Sequence, residues 1–187
     1  MFVFCGTVRS PIGAVSFLSD EAALRALAFV DEPLRLIDAH RRRHGDVRVD
    51  DRRDALGIAH RIEAYFSGDI VALDAIPVAV DGTPFQTSVW YKLREISPGS
   101  TTTYGAIARG LGAPAATRAV GAANGANPIS LVLPCHRVIG ENGTLTGYGA
   151  GLPRKAWLLR HEGLEIVESP KGLAHGKVSN ELRLLQH

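Results

Sequence analysis

Apolar residues open the chain in three short clusters, Phe2 to Val8, Ala14 to Leu18 and Leu24 to Val30. Ser10-Pro11-Ile12-Gly13 and Ser19-Asp20-Glu21 separate them, a pattern that predicts an antiparallel meander. The third cluster is alanine-rich and suits a helix by propensity alone. Residues 31–52 are polar and arginine-rich, with His40-Arg41-Arg42-Arg43-His44 among them. They read as a solvated surface loop, although such a run also suits a nucleic-acid patch. Ile58, Ile62, Tyr65 and Phe66 then share one helical face, which Ser67-Gly68 ends. Ile70 to Val80, apolar and β-branched, reads as another strand.

Helical periodicity takes over near residue 81. Thr83 suits an N-cap, Pro84 the first helical position, and Gln86 completes a capping box. Phe85, Val89, Leu93 and Ile96 form the inner face, and Ser97-Pro98-Gly99 stops the helix. Tyr104, Ile107, Ala108 and Leu111 define a second helix behind a run of threonines. After the turn Gly112-Ala113-Pro114, a third runs from about Pro114 to Ala126 and turns Ala116, Ala119, Val120 and Ala123 inward. Two helices with so short a turn predict helix-turn-helix geometry. The opposite face gathers Ala115, Arg118, Gly121, Ala122 and Gly125, so one long cation stands on a surface of very small residues. Such a face lets a helix backbone come close to a partner. It equally suits tight packing with the arginine paired at the surface. The organisation expected is a sheet-plus-helix domain at 1–81, a helical domain at 82–168 and a loosely held tail at 169–187. Leu182 to Leu185 suits a short helical turn within that tail.

Chemistry enters with Pro134-Cys135-His136-Arg137-Val138-Ile139, which follows the apolar, extended-looking run Ile129-Ser130-Leu131-Val132-Leu133. A thiolate is a strong nucleophile, and an adjacent base or cation raises its fraction at neutral pH. The bland alternative is a small buried cysteine beside a satisfied histidine. The bulk properties narrow the field. The chain has 187 residues, 45% of them hydrophobic, no stretch of membrane-spanning length, and no basic region or cleavage site at its start. Cys5 and Cys135 are too few for a disulfide framework, and a reactive Cys135 implies a reducing, cytoplasmic setting. No metal-ligand spacing appears, so no metal is expected, and a reaction made by the thiol itself needs no cofactor. A net charge of +2 permits nucleic-acid binding without demanding it.

Seven motifs in order give this sequence its resemblance. They are Gly82-Thr83-Pro84-Phe85-Gln86, Thr103-Tyr104-Gly105, Arg118-Ala119-Val120-Gly121, Asn127-Pro128, the Pro-Cys-His-Arg-Val-Ile core, Gly147-Tyr148-Gly149 and His161-Glu162-Gly163. Over most of residues 83–163 the chain resembles the DNA-repair alkyltransferases, the methylated-DNA–protein-cysteine methyltransferases that act on O6-alkylguanine. The resemblance implies an α+β protein. Its N-terminal antiparallel sheet with helix is ribonuclease H-like, and its C-terminal winged-helix or helix-turn-helix-type domain carries the active site. It makes the third alanine-rich cluster a strand. It also implies irreversible, single-turnover transfer of the alkyl group to Cys135, with O4-alkylthymine as a further substrate left open.

By the same resemblance His136 acts as base through a bridging water and Glu162 orients it. Tyr104 gives a proton to the purine, Lys155 supplies a cation near O6, and Asn127 braces the active-site turn and thiol. Tyr148, Gly149 and Val138 line the pocket. Thr103, Ala115, Arg118, Gly121, Ala122 and Gly125 meet the minor groove of double-stranded DNA, with Arg118 replacing the flipped-out nucleotide. The protein would be a monomer in solution, its clustering on DNA left open. Ala150 stands where relatives often have a third glycine, and the tail has no counterpart. Three other readings compete. A lesion sensor of this family lacks the reactive cysteine, which this chain has. A helix-turn-helix regulator needs base-reading side chains. A cysteine hydrolase needs an oxyanion hole and leaves Tyr104 and the bare helix face unexplained.

Overall fold

The computed structural model describes residues 2–51, 54–169 and 172–179. The described chain is α+β and divides into two compact units. Among the described residues, one unit comprises those within 2–81 and 128–132, the other those within 82–127 and 133–179.

The first unit is built on β1 (Phe2–Ser10), β2 (Gly13–Ser19) and β3 (Leu24–Ala28), the expected meander. β1 and β2 pair antiparallel from Phe4 opposite Ser19 to Ser10 opposite Gly13, and β3 continues on β2. The alanine-rich third cluster is therefore strand, with Leu27 opposite Phe17 and Leu24 opposite Ser19, and both leucines are fully buried. The basic stretch is not a loop. It forms α1 (Leu34–His44), and β4 (Arg48–Asp50) then adds to β1 in parallel, giving the order β3-β2-β1-β4. The helix was hidden because its buried stripe is Ile37 and His40, and a buried histidine counts as polar in any periodicity.

α2 (Ile58–Phe66) begins where the Asp54 carboxylate accepts the Ile58 and Ala59 amides at 2.8 and 2.7 Å. It buries Ile58, Ile62 and Tyr65, while Phe66 is only half-buried. The strand expected at 70–80 is instead a series of tight turns, with Ala72 donating to Asp69 O, Asp74 to Val71 O and Ile76 to Leu73 O. Buried Leu73 and Ile76 are three residues apart, a turn spacing rather than the alternation of a strand. Only Val78 makes a bridge, to Leu24. Similarly, the run before the cysteine is extended only at Ile129, which bridges Leu27. It then turns, with buried Leu131 in the left-handed region at φ 68°.

The second unit opens with α3 (Pro84–Arg94), and the capping box forms as expected. Thr83 Oγ1 accepts the Gln86 amide and Gln86 Oε1 accepts the Thr83 amide, an arrangement worth about 1 kcal/mol. β5 (Thr102–Thr103) leads into α4 (Tyr104–Gly110), and a 3₁₀ turn at Pro114–Ala116 precedes α5 (Thr117–Gly125). Trp90 is buried and its indole N–H donates to Ala123 O at 2.7 Å, which fastens α5 to α3. α5 buries Val120, Ala123 and Asn124, whereas Ala119, expected inside, is exposed. The helix is rotated so that Asn124 takes the inner position.

A 3₁₀ turn at Cys135–Arg137 runs into β6 (Val138–Ile139), and α6 (Leu152–His161) follows. The stretch expected as a loose tail is a hairpin over its described residues, β7 (Ile166–Ser169) with β8 (Gly172–Val178). Ile166 and Val178 bury their side chains with Ile139, Leu145, Ala156, Leu159 and Leu164, and that burial holds the strands in place. The turn expected at Leu182 to Leu185 lies outside the described residues.

Candidate active site

Cys135 sits in the 3₁₀ turn that Pro134 starts, and the whole run from 131 to 139 is buried. Asn127 makes this possible. Its side-chain amide donates to Leu133 O at 2.7 Å, closing the turn with one hydrogen bond from six residues back. β6 then pairs in parallel with β5, Thr102 opposite Val138 and Thr103 opposite Ile139. Because Tyr104 follows Thr103 directly, this short pairing carries the tyrosine to the cysteine turn.

A charged network lies behind the thiol. His136 is fully buried and its Nε2 lies 2.9 Å from Glu162 Oε1. Arg137 is 4% exposed and grips the same carboxylate with a fork, Nε to Oε2 at 2.9 Å and Nη2 to Oε1 at 2.8 Å. Its remaining arm donates to Ile96 O. Burial alone would raise the Glu162 carboxyl, yet His136 and Arg137 hold it well below the usual carboxylate range. Burial lowers the imidazole of His136, against the pull of Glu162. With Glu162 ionised, His136 Nε2 carries the donated hydrogen and Nδ1 the lone pair. Nδ1 is buried without a protein partner among the described residues, so it is the nitrogen available as a base.

Burial pushes the Cys135 thiol up, while the Asn127 hydrogen bond and the Lys155 charge act the other way. Lys155 is itself fully buried. Its ammonium donates to Val138 O and Thr146 O, and burial lowers it to about 8. Thr146 also donates its hydroxyl to Tyr104 Oη at 3.3 Å, so that oxygen is an acceptor and its own proton stays available. Tyr148 stands edge-on to His136 with ring centroids 6.5 Å apart. Its hydroxyl is buried without a partner among the described residues, and burial raises it well above the ordinary tyrosine value.

Cys135, His136, Glu162, Lys155, Asn127, Tyr104, Tyr148 and Val138 thus converge. Gly149 is exposed beside Tyr148, with open space where a side chain would stand. Ala115, in the 3₁₀ turn before α5, is exposed, as are Arg118, Ala122 and Gly125 on α5, and Gly121 is half-buried, its missing side chain facing the Tyr104 ring. Thr103 differs in kind. Its hydroxyl accepts the Ala106 amide at 3.1 Å and caps α4. Two members of the site escaped the sequence reading. Arg137 was visible within the Cys-His-Arg motif as a cation next to a base, whereas no local pattern marks Thr146.

The family profile described as 6-O-methylguanine DNA methyltransferase, DNA binding domain, matches residues 84–164. The profile of the ribonuclease-like domain of the same family matches residues 3–80. The chain belongs to this family. Its relatives include the methylated-DNA–protein-cysteine methyltransferases of Salmonella typhimurium, 48% identical, and Shigella flexneri, 46% identical. Each alignment covers 86% of this chain and 95% of the relative. Among solved structures, the Mycobacterium tuberculosis O6-methylguanine methyltransferase superposes with a TM-score of 0.69 at 39% identity, covering 86% of this chain and 92% of that one. Mycobacterium tuberculosis OGT in complex with DNA gives 0.70 at 38% identity, covering 87% and 92%. As a methylated-DNA–protein-cysteine methyltransferase family member, the chain is a transferase with a ribonuclease-like sheet domain and a helical DNA-binding domain. Among the described residues no helix is long and apolar enough to cross a membrane.

Proposed function

We propose that the protein repairs DNA by moving the alkyl group of O6-alkylguanine irreversibly onto Cys135, once per molecule. The observation that carries this reading is the buried Cys135 turn backed by His136, Glu162 and Arg137, with Lys155 beneath it. The target base leaves the duplex because its alkylated oxygen lies within the stack. Arg118, exposed among small residues on α5, occupies the space left behind, and the bare face lets the helix approach the minor groove.

Cys135 gives its proton to His136 Nδ1, across a bridging water, and Glu162 stabilises the resulting imidazolium. The sulfur attacks the alkyl carbon, an S–C bond forms, and the C–O6 electron pair withdraws onto guanine. Tyr104 supplies a proton to the purine ring, its oxygen accepting from Thr146 as it does so. The Lys155 charge favours the thiolate and the developing negative charge nearby. The thioether product has no route to hydrolysis at this site, so each molecule acts once. O4-alkylthymine presents the same leaving oxygen and is a second substrate under this mechanism. A buried free thiol with this task belongs in a reducing compartment.

Incubation with a duplex bearing one O6-methylguanine, followed by peptide mass spectrometry, tests the proposal. One methyl group on the Cys135 peptide per molecule is expected, and Cys135→Ser should bind the same duplex without acquiring it. Binding by the wild type with Cys135 left unmodified would overturn the transfer.

A further inference from the structure

We propose that strand β8 is a brace for the loop leading to Tyr148, and that through this brace the C-terminal hairpin sets the size of alkyl group the site accepts. The inference rests on the transfer reaction proposed above. The loop is loose by composition, with Gly140, Gly143, Gly147, Gly149 and Gly151 within twelve residues. It must nevertheless hold three groups still. Thr146 O accepts from Lys155 Nζ, Thr146 Oγ1 donates to Tyr104 Oη, and Tyr148 stands beside His136. Because the buried Tyr148 hydroxyl has no partner among the described residues, that side chain is positioned by its backbone rather than by its own bonds.

The backbone is held from β8. Leu145 N donates to Gly176 O at 2.9 Å, Val178 N donates to Gly143 O at 3.1 Å, and Thr144 bridges antiparallel to Lys177. β7 ties β8 in turn, Ile166 opposite Val178, and Ser179 N donates to Glu165 O at 2.9 Å. Val178 and Leu145 are buried in the same apolar cluster as Ile139 and Ala156, which lie next to Val138 and Lys155. Pairing on one side and packing beneath convert a glycine-rich loop into a wall with a set position. A wall held in place keeps Lys155 and Tyr104 in register for a small alkyl group and limits the room beside Tyr148 for a large one.

The test uses the full-length chain with Val178→Pro, which removes the N–H that donates to Gly143 O, and Val178→Ala, which keeps that donor and trims the apolar contact. Amide exchange at Leu145 is measured together with single-turnover transfer from duplexes carrying O6-methylguanine or O6-benzylguanine. In Val178→Pro, exchange at Leu145 should quicken about tenfold or more. Methyl transfer should slow about fivefold, and the benzyl-to-methyl rate ratio should rise about threefold. Val178→Ala should move all three the same way by less. Equal slowing on both substrates, or Leu145 exchange left unchanged in Val178→Pro, overturns the brace while the wild type still transfers. A wild type that transfers neither group overturns the reaction itself and the selectivity with it.

Discussion

The interior of the active site and the outer face of α5 belong to one unit yet follow opposite rules. Behind Cys135, His136, Arg137, Lys155 and Glu162 are all removed from water, and each has partners at hydrogen-bond distance. On α5, Arg118, Ala119, Ala122 and Gly125 are exposed and, apart from the arginine, carry almost no side chain. Burying charge is costly, so each buried charge is paired, and the reward is a set of groups that need little reorganisation when a bond breaks. The helix face gains by having little to reorganise at all. Chemistry here depends on what is packed in, and close approach to a partner on what is left out.

The sharpest way to break that contrast is to empty one member of the interior. Glu162→Ala leaves the Arg137 guanidinium, among the described residues, with the Ile96 carbonyl alone and should cost about 3–5 kcal/mol of stability. Transfer should fall about a hundredfold or more, because His136 loses the group that sets its tautomer. Glu162→Gln separates the two effects. Thermal melting should return much of the stability while single-turnover transfer stays slow, and a Gln variant transferring at wild-type rate would remove Glu162 from the relay.

On the helix face the expected loss is smaller and depends on the substrate. Arg118→Ala should slow transfer from duplex DNA by about 2 kcal/mol, roughly thirtyfold, since unstacking a base costs a few kcal/mol. Transfer from free O6-alkylguanine should barely change, and parallel losses on both substrates would argue that Arg118 acts on the chemistry instead. The gentlest probe is pH. The base form of His136 persists to below its ordinary 6.5 because burial lowers its pKa, so the acid limb of the transfer rate should lie below pH 6.5. Loss of the Lys155 charge as pH rises through about 8 should produce the alkaline limb. Single-turnover rates across this range check both limbs, and a rate still climbing well above pH 8 would show that the ammonium is dispensable.

Much of this was legible beforehand, for physical reasons that differ by region. The capping box at Thr83, the cores of α3 and α4, and the small outer face of α5 are local patterns, and they formed as local patterns should. The motif residues were legible because chemistry constrains residue type at each position. α1 escaped because part of its buried stripe is a histidine, and 70–80 because apolar, β-branched content reads as a strand where the chain makes tight turns. The hairpin at 166–178 escaped because its strands gain stability from burying Ile166 and Val178 against distant parts of the chain.

The sequence by itself determined the family, the meander, the capped start of α3 and the place of Cys135 next to His136, all from short stretches of neighbouring residues. Only the tertiary structure decided that Arg137 forks onto Glu162, that Lys155 is buried beneath Val138 and Thr146, and that Thr146 meets Tyr104. Those pairings join residues from nine to forty-two positions apart. A hydrogen bond over such a separation leaves no period or spacing in the chain, because its geometry exists only once both ends have been folded into place.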